Sequence, residues 1–231
     1  MKKLAIFVEG KTEQIFVAKL LREIAGKFQI SIEIKSRQGI NFDQVIMKDS
    51  VTSETKFYVL IYNSCGDESV VSDMREQYNL LAKDGYDRVI GLRDVYPISI
   101  SEKSKLQIGL NYALPKGSIP INIVLAVMEV EAWFLAEYNH FLKIDPRLTP
   151  EKIQAMFGFN PQTDDMEQRP HPADDMKQIY NYVGKGYNKS EKQLNRLASH
   201  LDYEFIYMHL INSVPSLGEF VGYIDKFMIS S

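Results

Sequence analysis

The sequence predicts an α/β protein with a mainly parallel sheet, helices on both faces of that sheet, and a helical extension on its C-terminal side. Short apolar runs alternate in the first half of the chain with segments whose apolar residues recur at helical spacing. This alternation is typical of parallel strands joined by helices. The run at 121–127 is apolar on both faces, as expected for a strand that is covered on both sides.

The first strand is predicted at residues 3–8, an apolar run that ends at Glu9. A turn at 9–11 follows, and Thr12 is expected to cap the next helix. That helix is indicated by apolar residues at helical spacing, which are Val17, Leu20, Leu21, Ile24 and Phe28. Alternating apolar and polar residues at 30–34 predict a second strand.

Three further strands are predicted at 57–62, 87–92 and 120–128. The segment 63–67 (NSCGD) is interpreted as a tight turn, with the alternative that its polar groups face a phosphate. Helical spacing after this turn and at 101–114 completes the alternation.

The alternation of strands and helices stops near residue 130, and the pattern is mostly helical from there onward. Loops rich in Pro, Gly and Asp interrupt it at 145–150 and 158–174. We therefore expect an α/β domain at residues 1–137 and a mostly helical extension at residues 138–231 that packs on it.

Composition and charge limit the classes of protein that fit. The 231 residues carry a net charge of −3, unlike the strongly basic surface of many nucleic-acid-binding proteins. Cys65 is the only cysteine, which excludes an intrachain disulfide and favours a reducing cytoplasm. The apolar runs are too short for a membrane span, and no signal peptide is expected.

Acidic residues follow three of the predicted strands. Glu9 comes after the first strand, Asp94 after the fourth, and Glu129 or Glu131 after the fifth. Because ligands bind at the carboxyl ends of strands in open α/β sheets, these side chains are expected to meet at one edge. Clustered carboxylates need a proton or a cation nearby, and their oxygens suit Mg2+. The alternative is that they are exposed polar ends of loops.

Three segments resemble motifs of the TOPRIM family. Residues 8–13 (VEGKTE) are similar to its opening motif, in the form found in TOPRIM-like domains of OLD-family nucleases and their bacterial relatives. Residues 91–96 (GLRDVY) resemble the second motif, and residues 128–135 (MEVEAWFL) an acidic segment that some relatives carry. The resemblance covers roughly residues 1–137 and implies a TOPRIM-like (Rossmann-like) sheet.

By position, the resemblance implies that Glu9 is a metal ligand or a general acid/base and that Asp94 is the principal Mg2+ ligand. Glu129 lies nearer the strand end, whereas Glu131 fits the Glu-x-Trp spacing, so both are candidate ligands. Tyr96 stands where the family commonly has the second Asp of an Asp-x-Asp motif. A ligand for two-metal chemistry is therefore missing unless Glu129 or Glu131 replaces it.

Four basic residues are candidate contacts for substrate phosphate. Lys11 and Arg93 neighbour the predicted ligands, while Lys185 and Lys189 lie in the dense basic stretch that begins at residue 184. Positive groups there could stabilise charge near a metal. Tyr187 is expected in the core or on a partner surface, with stacking on a base as the alternative. A solvated helix face is the alternative for this stretch.

Our first hypothesis is an enzyme of phosphoryl transfer that uses Mg2+ (or Mn2+) to hydrolyse DNA or RNA. The second is a non-catalytic module that uses the same acidic edge to bind metal, nucleic acid or a protein, which Tyr96 and the net charge favour. Nucleotidyl transfer is a third. Some TOPRIM-like relatives work with an ATPase, and this chain has no ATPase motif of its own, so any use of ATP would require a separate ATPase protein as a partner.

Overall fold

The structure is a computed structural model and describes residues 1–38 and 42–229. The strands of its sheet are β1 (Lys2–Val8), β2 (Ile30–Gln38), β3 (Phe42–Lys48), β4 (Phe57–Asn63), β5 (Arg88–Asp94) and β6 (Ile121–Ala126). They lie side by side in the order β3-β2-β4-β1-β5-β6. Neighbouring strands are parallel except β2 and β3, which are antiparallel.

Ten α-helices occur in the described part of the chain. They are α1 (Lys11–Ala25), α2 (Asp67–Lys83), α3 (Lys103–Ala113), α4 (Glu131–Ala136), α5 (Asn139–Ile144), α6 (Pro150–Phe157), α7 (Pro172–Tyr182), α8 (Glu191–His200), α9 (Tyr203–Met208) and α10 (Pro215–Ile229). Short 3-10 turns lie at Ile100–Glu102, Met166–Gln168 and Leu210–Asn212. Among these described helices, none has the length and apolar character needed to cross a membrane.

Residues of the central strand β1 alternate between two apolar cores, one on each face of the sheet. Leu4, Ile6 and Val8 belong to a core that α1 and the C-terminal helices complete. Ala5 and Phe7 belong to a second core, which α2 and part of α3 cover. Helices therefore cover both faces, and the predicted mainly parallel α/β class with a helical extension is confirmed.

The helices after residue 138 pack directly on the sheet. The rings of Phe57 in β4 and Phe227 in α10 lie 5.6 Å apart. Trp133 in α4 lies 5.9 Å from the ring of Phe220 in α10, and its indole N–H donates to Ser216 Oγ at 2.7 Å. The sheet and the extension thus share one core, while the division between residues 137 and 138 stays a prediction.

Strand β3 is an element that the sequence pattern does not predict. It is an edge strand that pairs with β2 alone. Val45 and Ile46 are adjacent apolar residues, and both are half-exposed. The segment therefore shows neither a clean alternation nor a buried apolar run, which are the two signals of a strand.

Helix α1 is capped by a different residue from the one predicted. Gly10 is the N-cap, and the backbone N–H of Gly10 donates to Glu13 Oε2 at 2.9 Å. Thr12 lies inside the first turn, so the prediction that it caps the helix is wrong. An acid three residues after the N-cap folds back on the cap in this way and takes over the capping role.

Two glycines of α10 test the packing of this helix against the turn Leu210–Asn212. A Cβ added at Gly218 would lie 2.4 Å from the carbonyl oxygen of Ile211, whereas one added at Gly222 would meet nothing within 4 Å. We expect Gly218→Ala to lower the free energy of unfolding by about 1–3 kcal/mol, because backbone must shift. Gly222→Ala should raise it by about 0.5–1 kcal/mol. Urea denaturation measures both, and effects of the same sign would contradict this packing.

Candidate acidic site at the carboxyl ends of the strands

The carboxyl ends of β1, β5 and β6 lie next to one another. Val8 is the register partner of Leu92, and Asp94 is the register partner of Ala126. Glu9 follows β1 directly, so it reaches the edge at which Asp94 ends β5. The structure therefore brings these two predicted carboxylates together, and the chain that leaves β6 begins beside them.

Glu9 and Asp94 are in direct contact. The backbone N–H of Asp94 donates to Glu9 Oε2 at 3.1 Å. Asp94 Oδ1 accepts from the N–H of Val130 at 2.9 Å, and the Asp94 side chain is buried. These two hydrogen bonds join the ends of β1 and β5 to the beginning of α4.

Of the two open candidates after β6, Glu131 lies inside the cluster. It is the first residue of α4 and fully buried, and its Oε1 accepts from the Tyr187 hydroxyl at 2.8 Å and lies 2.9 Å from the Lys189 ammonium. Glu129 precedes the helix, and its Oε2 accepts from the N–H of Ala173 at 2.9 Å. Burial, and then the charge of Glu131, raise the pKa of Glu129. Glu129 therefore borders the cluster without entering it.

Glu13 is a further buried carboxylate of this site, and it was missing from the residues selected by sequence. Burial raises its pKa to about 7, and the charges of Glu131 and Glu9 contribute to the rise. The available signal was its position three residues after Gly10, where an acid turns back toward the start of the helix. That position is also the reason why its carboxylate faces the strand ends.

The neighbouring carboxylates also raise the pKa of Asp94. Burial raises the pKa of Asp94 well above its usual value, and the charges of Glu13, Glu9 and Glu131 raise it further. Lys189 acts in the opposite direction. Several carboxylates in one buried place cannot all ionise without relief, so this site favours a bound proton or a cation.

Lys189 brings a positive charge into the cluster from a loop of the helical extension. Burial lowers the pKa of Lys189, but the charge and hydrogen bond of Glu131 outweigh it and raise the pKa overall, which keeps the ammonium protonated. The loop is held by Arg196 of α8, whose guanidinium donates to the carbonyl oxygens of Lys185 at 2.8 Å and Gly186 at 2.6 Å. The extension thus completes a site whose other members come from the sheet domain.

The other predicted basic residues lie at the border of the cluster or outside it. Lys11 forms an exposed ion pair of 2.7 Å with Glu191. Lys185 is exposed. Arg93 is buried, and its Nε donates to the carbonyl oxygen of Asp94 at 3.3 Å. Of the four predicted phosphate contacts, Lys189 is therefore the one whose charge lies on a buried carboxylate.

Two tyrosines noted in the sequence take different positions. Tyr187 is only 3% exposed and donates to Glu131, so it lies in the core as expected and not on a surface where it could stack on a base. Burial raises the pKa of Tyr187 well above its usual value, and Glu131 adds to this, which keeps the hydroxyl a donor. Tyr96 is exposed, and its ring lies 6.0 Å from that of His171.

The side chains as they stand do not form a finished metal site. Within residues 1–38 and 42–229, no three Asp, Glu, His or Cys side chains are arranged to hold a metal ion together. Oxygens of Glu9 and Glu13 accept from backbone N–H groups, and Glu131 Oε1 is taken by Lys189 and Tyr187. Glu131 Oε2, by contrast, is buried without a hydrogen-bond partner in the described chain. A cation would need some of these contacts to exchange.

Comparison with known proteins identifies a family. A family model described as a domain of unknown function (DUF4276) matches residues 8–222, which include every candidate site residue. No curated protein and no solved structure matches the chain. Since that description assigns no activity, a function has to be inferred from the geometry of the site.

The raised pKa of Glu13 predicts a dependence of stability on pH. A carboxyl whose pKa is higher in the folded protein stabilises folding while it is protonated, and this contribution is lost as the pH rises through the folded value. Without divalent cations, we expect the free energy of unfolding to fall as the pH rises from about 4.5 to about 7, and Glu13→Gln to reduce that slope. Urea denaturation across this window measures it. Glu191→Gln, at an exposed carboxylate, should keep the wild-type slope.

The contact between Lys189 and Glu131 predicts a second stability effect. Lys189→Met removes the charge and leaves a buried carboxylate without its cation, which is costly for a buried ion. The Lys189 side chain is 42% exposed, so solvent screens part of the loss, and we expect the free energy of unfolding to fall by about 1–3 kcal/mol. Lys185→Met, in the same loop, should change it by less than about 0.5 kcal/mol. Equal losses in the two variants, measured by urea denaturation, would contradict the ion pair.

Proposed function

The chain belongs to the DUF4276 family, whose function is unknown, so we propose a function from the site itself, namely metal-dependent hydrolysis of phosphodiester bonds in nucleic acid. The observation that carries this proposal is the grouping of Glu9, Glu13, Asp94 and Glu131 at adjoining strand ends. A buried group of like charges destabilises a protein, and strongly shifted pKa values of this kind cluster at functional sites.

The donor chemistry of this cluster fits a hard divalent cation. Carboxylate oxygens are the ligands that Mg2+ takes in proteins, alongside phosphate oxygens of the substrate. Glu9, Asp94 and Glu131 would hold Mg2+ or Mn2+, and Glu129 lies at the border of the site. Glu131 Oε2 is buried and has no hydrogen-bond partner in the described part of the chain, so it is available to coordinate a cation. When bound, such an ion polarises a phosphoryl group and makes water more acidic.

The chain's own residues would supply the proton transfer and the positive charge. Glu13, with a pKa of about 7, is matched to accept a proton from water near neutral pH, and Glu9 is the alternative for this role. Lys189 would stabilise negative charge on the phosphate once Glu131 turns to the metal. Asp94 would itself be a metal ligand, and the hydrogen bond that it accepts from the N–H of Val130 would hold its carboxylate in place.

A non-catalytic module that binds nucleic acid, metal or a protein is the second candidate. The observation that favours it is the ammonium of Lys189 on Glu131, because this internal cation already relieves part of the repulsion. Tyr96, which is exposed at the position of a second aspartate, points in the same direction. The two candidates use the same acidic edge and differ in whether water is activated there.

The fold family, substrate, partner and compartment of the protein are also proposals. We propose a TOPRIM-like domain, supported by Glu9 and Asp94 at the carboxyl ends of the adjacent parallel strands β1 and β5. DNA or RNA is the proposed substrate, and a separate ATPase protein would provide any use of ATP. A reducing cytoplasm is the proposed compartment, because Cys65, the only cysteine, is a free thiol.

Cleavage assays test the proposal. Labelled single- and double-stranded DNA and RNA are incubated with a series of divalent cations, and we expect cleavage with Mg2+ or Mn2+ that Asp94→Asn abolishes, because a charged ligand is lost. Asp84→Asn, at an exposed aspartate that follows α2, is the matched control and should cleave as the wild type does. Cleavage that persists in EDTA would contradict the mechanism.

Thermal melts separate the two candidate functions. A cation that binds only the folded state stabilises it by about 1.4 kcal/mol at tenfold excess over its Kd, which we expect for wild type and to a much smaller extent for Asp94→Asn. Stabilisation by Mg2+ without cleavage of any nucleic acid would favour the binding module. If Mg2+ stabilises neither the wild type nor Asp94→Asn, the proposed metal site is wrong.

A further inference from the structure

Strands β1 and β4 are neighbours in the sheet, but the chain leaves them toward opposite faces. Strand β1 continues into α1, which packs in one core, and β4 continues into α2, which packs in the other. Neighbouring parallel strands whose helices diverge in this way leave a crevice at their carboxyl ends. Such crevices are where open α/β sheets bind their ligands.

A cavity of about 370 Å3 occupies this crevice. Its volume is within the range of about 300–1,000 Å3 that is typical of small-ligand pockets. Glu9 forms part of its wall, and the lining also includes Lys11, Gln14, Ser36, Ile46, Asn63 and Cys65. The cavity therefore adjoins the acidic site through Glu9. It lies on the β4 side of β1, whereas β5 and β6 lie on the other side of β1.

The surface of this cavity is mainly apolar, and three neutral hydrogen-bonding side chains, Gln14, Ser36 and Asn63, also line it. Asn63 donates to Gln14 Oε1 at 2.9 Å and accepts from the N–H of Cys65 at 3.0 Å. The Asn63 amide is thereby fixed, and Gln14, which accepts from it, also lines the cavity. Ser36 Oγ lies 3.3 Å from Cys65 Sγ, and Ile46 adds an apolar surface. Amides, a hydroxyl and an apolar side chain suit the edges and face of a base or sugar.

We propose that this crevice binds the nucleoside unit next to the phosphate on which the acidic site acts. Glu9 lines the crevice and also accepts from the N–H of Asp94, so a nucleoside held there presents its phosphate to the carboxylate cluster. Lys11 lines the same cavity, and its ion pair with Glu191 is exposed and therefore weak enough to exchange for a phosphate. The proposal rests on the proposed function in one respect, that the ligand is a nucleic acid.

Cys65 provides the test, because it is the only cysteine and is exposed in this cavity. The rate of its alkylation by iodoacetamide is measured with Mg2+ and short single-stranded DNA or RNA whose phosphorothioate linkages resist hydrolysis. At tenfold excess of oligonucleotide over its Kd, we expect alkylation to slow by about tenfold, because about one site in eleven remains open. Inorganic phosphate alone should leave the rate nearly unchanged.

Two reporter thiols in a Cys65→Ser background serve as matched controls. Ser36→Cys places a thiol in the same cavity and should be protected to a similar extent. Tyr112→Cys, at a position of α3 that is 89% exposed, should react equally with and without oligonucleotide. Ile46→Trp fills the cavity from a half-exposed position, so it should abolish the protection of Cys65 without changing the melting temperature.

Equal alkylation of Cys65 with and without oligonucleotide would overturn the proposal, and so would equal protection by inorganic phosphate alone. The outcome is separate from that of the cleavage assay. Cleavage with an unprotected Cys65 would leave the hydrolytic function standing and exclude the crevice from it. Protection of Cys65 without cleavage would support the crevice and count against hydrolysis.

Discussion

Buried carboxylates at the strand ends need positive charge close by, and this electrostatic constraint shapes the rest of the site. Lys189 meets part of the need through its contact of 2.9 Å with Glu131. Arg196 holds the loop that carries Lys189, and the helices of the extension pack on the sheet beside it. The acidic edge and the C-terminal helices are therefore one electrostatic unit, although they come from different parts of the chain.

The same contact defines how the site would change on binding a cation. Lys189 and a divalent ion would share the carboxylate of Glu131, so the ammonium stabilises the metal-free protein and would also compete with the metal. The buried Oε2 of Glu131 offers a first contact that requires no displacement. On the other side of Glu9 lies the crevice between β1 and β4, whose lining is mainly apolar, so the proposed nucleoside would be recognised apart from most of the carboxylates.

Much of the fold could be predicted because buried parallel strands leave continuous apolar runs in the sequence. Strand β3 could not, since an edge strand with a single partner tolerates adjacent exposed apolar residues such as Val45 and Ile46. Glu9 and Asp94 were predictable because they end strands, whose position in a sheet is regular. The role of Glu13 depends on a helix cap at Gly10, whereas the sequence pattern had favoured Thr12 as the cap. The role of Lys189 depends on a contact between distant parts of the chain, which local pattern does not encode.

The shared core has an evolutionary consequence. Glu131 and Lys189 depend on each other across the boundary between the sheet and the extension, as do the packed rings of Phe57 and Phe227. A substitution on one side would impair folding or the site unless the other side adjusted. We therefore expect relatives to vary in pairs at these positions and to inherit both halves together.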